Sequence, residues 1–387
     1  MRISISSSGN AGTHQRENVA LFIDSRTGYI IEPSDESDVK INAQDYWLFP
    51  ALINTHDHLE LNHYPRTRFR ERYDNAHQWG EDVSQHLDRP PFAQLRQYAL
   101  WEQCWLGGMK NLLSGVVSVA HHNPLHRSLR QKNFPVYVLQ NYTWAHSLHF
   151  TDHVEIKRQI ERASAQKPFM IHLAEGDDHI AAAEYHQLER LGGIGANTII
   201  IHGVGLKPTD QEDAIQKGAS LIWCPSSNIF LLGKTASIEK WRQAKRIGIG
   251  SDSRLTADGD LLDELRAAKN ITEVSAIDLF HMVTDWAAAI LGLSQRGSLA
   301  VGKIADVIAV RRKSDNPYDD LVFARRVDIG LVIRAGKALY GDHKLIEQWP
   351  TDKYLSVNVD GKRKYLLASI GKRFRRCRLQ EQGLQFD

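Results

Sequence analysis

Two histidines one residue apart, His56 and His58, close the apolar stretch "LFPALINTHDHLELN" at residues 48–62. On a strand, side chains two positions apart point the same way. Both imidazoles can therefore face one side and chelate one cation, while Asp57 between them points outward. The chain holds 18 histidines, so about one such triplet is expected by chance, and the pair becomes informative only alongside further donors. Those donors follow other apolar runs: His172 and then Glu175 in "KPFMIHLAE", His202 in "NTIIIHG", Asp252 in "RIGIGSDS". Three imidazoles and a carboxylate can bind Zn²⁺ and leave a position open for water, and the ion then yields hydroxide near neutral pH. Glu175 lies three residues past His172, so it must sit on a loop beyond the strand end. From there it can act on bound water and shuttle a proton, while His202 polarises the substrate or orients the hydroxide.

Each donor also has a plainer reading alone. His56 and His58 can be a chance pair, His172 or His202 a hydrogen-bonded core histidine, and Glu175 a surface carboxylate. Asp252 can be a helix N-cap, because "SDSRLTADGD" is rich in capping residues. What favours the joint reading is their shared place at the ends of apolar runs, in an order that a barrel would bring together.

The elements that must position them alternate. Strand-like runs "LFPALINT", "GVVSVAHH", "PVYVLQNY", "KPFMIHLAE", "NTIIIHGV", "ASLIWCPS" and "RIGIGSDS" are separated mostly by helical patterns such as "FAQLRQYALWEQCWLGGMKNLL". Near-continuous apolar runs suit parallel strands buried on both faces, and the alternation predicts a (β/α)8-type, TIM-like barrel whose C-terminal strand ends converge on one mouth. Seven strands are clear. The eighth must come from "TWAHSLHF" (143–150), or the barrel is distorted or one strand short. Both chain ends read instead as short strands, which predicts a small β-sandwich domain built from residues 1–48 and 297–387 around a barrel at 49–296. The basic segment "GKRKYLLASIGKRFRRCRL" reads as a solvated tail or an edge strand.

Length and 42% hydrophobic content suit one large domain and a smaller one. A formal charge of +2 implies no polyanion partner, and no apolar run reaches the length of a membrane span. The N-terminal "MRISISSSGNAGTHQREN" has no apolar core of a secretory signal. Three cysteines without CxxC spacing suit a reducing cytosol. The expected location is cytoplasmic, with a small-molecule substrate and neither nucleic acid nor membrane as partner.

On "PALINTHDHLE", "IHLAEGDD", "IIHGVGL", "WCPSSNIFL", "IGIGSDS" and "GSLAVGKIADVIAV", the chain resembles the amidohydrolase superfamily over nearly its whole length. The resemblance is to the branch with cytosine, guanine and S-adenosylhomocysteine deaminases and chlorohydrolases. It implies one divalent metal, Zn²⁺ with Fe²⁺ as the alternative, held by His56, His58, His172 and Asp252. It makes Glu175 the proton shuttle and His202 the histidine facing the substrate; in a variant mechanism Asp252 serves as base. It also implies a homodimer. "PVYVLQNYTWAHSL" lacks the bridging Lys or Glu of two-metal relatives, which supports a single metal. Substrate contacts are expected from His121 or His122, of which only one can face the axis, from Trp144, His146 and Ser227 or Asn228, and from Arg66 and Trp79 in the loop after the first strand. The expected activity is cleavage of a C–N bond by metal-activated water, foremost deamination of an aminated heterocycle. The alternatives are hydrolysis of a cyclic amide, an amidine or a C–Cl bond, and, in a different class, a non-catalytic barrel scaffold.

Overall fold

Eight short strands carry the centre of the molecule, which is described by a computed structural model covering residues 1–7, 9, 19–34, 36–350 and 353–387. The N-terminal segment read for a secretory signal falls partly outside the described residues, at 8 and 10–18. The strands are β1 (Leu52–Asp57), β2 (Val116–His121), β3 (Tyr137–Val138), β4 (Thr143–Ala145), β5 (Phe169–Leu173), β6 (Thr198–His202), β7 (Ser220–Trp223) and β8 (Ile247–Ile249). Every residue of β1, β2 and β5–β8 is buried, which is why these strands read as unbroken apolar runs rather than alternating ones. All their pairings are parallel and form two arcs, β1–β3 and β4–β8. The short strand sought in "TWAHSLHF" is β4, paired with β5 through Thr143–Phe169 and Ala145–Ile171.

The two arcs meet beside β1 and β8, where the Asp252 amide donates to the His56 carbonyl at 3.0 Å. Gly250 makes that approach possible: a Cβ there would stand 2.5 Å from His56 Cβ. The helix Leu100–Leu113 backs β1 and β2 and is buried along most of its length. Its Trp105, Met109 and Leu112 join the main apolar core.

Strands from both chain ends make two further sheets. Arg2–Ser7, Val19–Asp24, Tyr29–Ile30 and Val39–Ala43 form one of four strands; Tyr46–Pro50 joins six C-terminal strands in one of seven. Ile3, Ile5 and Leu21 of the first pack with Leu48, Leu331 and Ile333 of the second in a separate apolar cluster.

The basic C-terminal segment is neither a solvated tail nor an edge strand. Lys362–Leu367 pairs on one side with Tyr354–Val359 and on the other with Lys337–Gly341. Lys364 is fully buried, donating to the carbonyls of Val327 (3.0 Å) and Ile329 (2.7 Å) and pairing with Asp342 (2.6 Å). Burial pulls its ammonium down to about 8 against the pull of Asp342. Charge density misled the sequence reading at the strand, where Lys362 and Lys364 have internal partners, while Arg363, Lys372, Arg375, Arg376 and Arg378 are exposed. Among the described residues no helix is long and apolar enough to cross a membrane.

Candidate metal centre

Four imidazoles crowd the C-terminal ends of β1, β2 and β5. Ligand-capable atoms of His56, His58, His122 and His172 all lie within 4.8 Å of one another, and those of His56, His202 and Asp252 do likewise. His56 and His58 project to the same side because they are two apart on the end of β1, with ring centroids 4.9 Å apart. His172 Nε2 is 3.3 Å from His56 Nε2, so at most one of these nitrogens carries a proton. Asp252 Oδ1 is 3.8 Å from the Nε2 atoms of both His56 and His58.

Three of these strand ends carry unusual backbone. Ala174, His202 and Asp252 have φ of 53°, 71° and 50°, the left-handed region that non-glycine residues rarely adopt. Ala174 turns the chain after β5, and Glu175 comes back across the mouth until its Oε1 is 3.4 Å from His202 Nε2. Asn228 donates its side-chain amide to His202 Nδ1 at 3.0 Å. That assigns the His202 proton to Nε2, the atom facing Glu175. Asp252 is held by the Ser227 hydroxyl (2.7 Å) and the Thr256 hydroxyl (2.9 Å) on Oδ2, and by the Ser253 amide (2.8 Å) on Oδ1.

The electrostatics suit a cation. Burial, reinforced by neighbouring imidazoles, pulls His56, His122 and His172 well below the ordinary histidine range. Their rings are therefore neutral, the form that donates a lone pair to a metal. Burial likewise takes His202 and His146 down to about 4. Burial first, then the charges of Asp252 and Glu184, push the Glu175 carboxyl well above the usual carboxylate range. His56 Nδ1 and His122 Nδ1 are buried without a hydrogen-bond partner. Clustered neutral imidazoles, two unpartnered nitrogens and an anchored carboxylate form a donor set that fits a divalent cation.

Asp57 points away from this cluster. It pairs with Lys110 (3.0 Å), accepts from Asn111 (2.7 Å) and Asn62 (2.9 Å), and all four side chains are buried. Lys110 also donates to the Ser251 hydroxyl (3.0 Å) and the Asp252 carbonyl (3.3 Å). The residue between the two histidines thus ties β1 to the Leu100–Leu113 helix and to the loop bearing Asp252.

The expected substrate contacts divide. His146 lines the cavity above the imidazoles, as does Trp79. Asn228 reaches the site through His202. Trp144 lies edge-on to His122 with centroids 5.5 Å apart. His121 and Arg66 do not take the places expected of them. His121, the last residue of β2, faces outward beside Asp57; its Nδ1 lies 3.6 Å from Glu60 and accepts weakly from the Leu59 amide. Strand alternation gives the inward position to His122 instead, whose Nε2 donates to the Ala145 carbonyl at 3.0 Å. Arg66 is a clamp: it donates to the carbonyls of Thr256 (2.9 Å) and Ser226 (3.1 Å) and pairs with Asp258. Sequence reasoning missed His77 and Glu184, which line the cavity and approach to 3.0 Å. Neither belongs to a short motif that could have flagged it.

Several known proteins are similar to this chain. A 5-methylthioadenosine/S-adenosylhomocysteine deaminase of Pyrococcus abyssi is 28% identical over 216 residues, 49% of this chain and 51% of that protein. A guanine deaminase of Escherichia coli is 26% identical over 177 residues, 41% of this chain and 39% of that one. The chain thus spans about half the length of the first of these relatives, and less of the second. Among solved structures, an adenosine deaminase from Xanthomonas campestris with bound zinc superposes with a TM-score of 0.74 at 16% identity, covering 97% of each chain. An atrazine chlorohydrolase from Arthrobacter aurescens complexed with zinc gives 0.70 at 16% identity over 87% of this chain and 95% of that one. Residues 145–339, half of the sequence and the stretch that carries β5–β8 with His172, Glu175, His202 and Asp252, match the amidohydrolase family, and the chain belongs to that family.

Proposed function

We propose that this protein is a metal-dependent aminohydrolase that releases ammonia from an aminated heterocycle. The observation that carries the reading is the convergence of His56, His58, His172 and Asp252 beside a half-buried Glu175 whose carboxyl holds its proton more tightly than usual. His56, His58, His172 and Asp252 would hold one divalent cation, with zinc the leading choice because imidazole and carboxylate both suit it. When bound, the cation supplies Lewis acidity that makes hydroxide available near neutral pH. Glu175 takes the proton released from water and delivers it to the departing nitrogen, a role that needs a carboxyl with raised proton affinity. His202, fixed by Asn228 with its proton on Nε2, donates to developing negative charge on the ring and keeps Glu175 turned to the reacting face.

The fold reading goes one step further. The two arcs, joined by the Asp252–His56 backbone bond, form a closed eight-stranded barrel capped on one side by a two-sheet domain with boundaries near 49 and 297. The protein acts on a small molecule in the cytoplasm. Chlorohydrolase among the structural neighbours keeps C–Cl hydrolysis as the second reading.

The test is a screen of aminated purines, pyrimidines, pterins and triazines for ammonia, with metal content measured on the same preparation. Glu175→Gln is expected to retain stoichiometric metal and lose about 10²–10⁴-fold in kcat. Release of chloride without ammonia from the triazines would shift the assignment to the second reading. Absence of stoichiometric metal would end both.

A further inference from the structure

The cavity above the imidazoles, about 370 Å³, takes Ala76, His77, Trp79, Gly80 and Ser84 of its lining from one short stretch. That stretch opens the helix Ala76–His86, none of whose residues is buried. The residues leading into the helix run antiparallel beside the loop just past β5, with Asn75 opposite Gly176. The Ala76 amide donates to the Glu175 carbonyl and the Asp177 amide to the Asp74 carbonyl, both at 2.8 Å. Gly176 permits the approach: a Cβ there would stand 2.6 Å from Asn75 Cβ.

Asn75 is buried and is bonded in two directions. Its Oδ1 accepts the Gln78 amide at 3.1 Å and caps the Ala76–His86 helix, while its Nδ2 donates to Asp178 Oδ2 at 2.6 Å. Asp178 in turn caps the helix His179–Arg190, accepting the Ala181 amide on Oδ1 at 2.9 Å. Glu175 stands between two such holds. Before it, Ala174 lies in left-handed backbone; its amide is taken by Glu184 Oε2 at 2.6 Å, and its carbonyl accepts the Gly205 amide at 2.8 Å. A non-glycine residue keeps that conformation only where its surroundings over-determine it. After Glu175, the hold comes from the 74–76 segment. A helix cap needs only the asparagine oxygen, so capping leaves the bond from Nδ2 to Asp178 unexplained.

We infer that Asn75 is a positioning residue for Glu175. Through Asp178 it locks the segment that roofs the cavity to the loop that bears the proton shuttle, so roof and carboxyl are set as one unit. The inference rests on the aminohydrolase reading for the step that Glu175 performs, but not for the placement of the loop. A carboxyl displaced by about 1 Å loses its alignment with the water and the departing nitrogen.

The experiment swaps donor and acceptor. Asn75→Asp keeps a capping oxygen as good as that of asparagine but sets two carboxylates against each other. Asn75→Asp combined with Asp178→Asn restores one donor and one acceptor and keeps both caps. On metal-loaded protein, Asn75→Asp should lower kcat for ammonia release about 10–10²-fold while KM and metal content hold. It should also speed amide hydrogen exchange across residues 74–76 and 174–177. The double variant should return both readouts toward wild type. Asn75→Ser, which keeps a capping oxygen and drops the amide, carries the test if Asn75→Asp does not fold, with a smaller fall in kcat. Wild-type kcat and exchange in Asn75→Asp would make Asn75 a helix cap alone and overturn the inference. A fall in kcat that tracks lost metal, or that the double variant leaves unrepaired, overturns it too. If the wild type releases ammonia from no substrate, the aminohydrolase reading fails and exchange alone decides. Faster exchange repaired by the double variant then supports the positioning role, and unchanged exchange overturns it.

Discussion

At the residue scale, the notable side chain is His122. Its Nε2–H is engaged by the Ala145 carbonyl, which leaves a bare, buried Nδ1 within the imidazole cluster. A ring oriented through one nitrogen by a backbone carbonyl is how metal-binding sites fix their histidines. His122→Phe keeps the ring and its packing but removes that lone pair. It is expected to weaken metal binding about 10–100-fold, measured by competition with a chromogenic chelator. Unchanged affinity would make His122 a packing residue of β2. His56→Ala, by contrast, should yield protein without stoichiometric metal.

At the element scale, the site depends on β1, β8 and the Leu100–Leu113 helix being held in one register. The buried Lys110–Asp57 pair sits at that junction, with Asn54, Asn111 and Ser251 completing its hydrogen bonds. Removing one partner of a buried pair leaves an uncompensated charge and costs about 3–5 kcal/mol. Lys110→Met should therefore lower the unfolding midpoint in denaturant and loosen metal retention together, because Asp57 then draws on the β8 loop without its counter-ion. Lys110→Met with Asp57→Leu should recover much of the stability. Recovery of stability without recovery of metal retention would show that the pair also sets the Asp252 loop.

At the scale of the whole molecule, the C-terminal segment is bolted to the barrel by ion pairs. Glu102 on the Leu100–Leu113 helix accepts from the Arg378 guanidinium (2.7 Å) and backbone amide (2.8 Å) and from the Ala99 amide (3.1 Å). Glu381 holds Arg254, two residues past Asp252, at 2.6 Å and Arg326 at 2.7 Å. The Arg378 hydrogen bond is the main cause that takes Glu102 from 4.5 down to about 2. A carboxylate whose folded pKa is depressed contributes stability that is full above its unfolded pKa and lost as pH falls through the folded value. The difference in Tm between wild type and Glu102→Gln should thus be constant above pH 4.5 and shrink as pH falls from 4.5 toward 2. A difference that widens on acidification would contradict the assignment. The histidines at the metal centre act in the same direction, at higher pH. Neutral when folded, they lose stability as pH falls below the ordinary value of 6.5.

Much of this architecture was legible in the residues themselves. Unbroken apolar runs marked the parallel strands because both of their faces are covered. His56 and His58 advertised a shared direction because strand periodicity is local. The turn after His172 could be read because three residues cannot keep one face on a straight strand. The short β4 was visible only as the place where a strand was owed, since three residues carry no periodicity. What depended on distant chain could not be read. His121 and His122 are adjacent and chemically identical, and only the register of β2 against β1 turns one toward Asp57 and the other into the imidazoles. Arg66 resembles a substrate contact until Asp258 and two carbonyls close around it. The basic C-terminal run looks solvated until Asp342, Glu102 and backbone carbonyls are placed beside it. Sequence alone determined which residues could donate to a metal and on which elements they lie, because those properties belong to a residue and its near neighbours. Tertiary structure decided which of them meet and which cations are already neutralised, because a charge or a lone pair acquires its role only from the groups that folding packs against it.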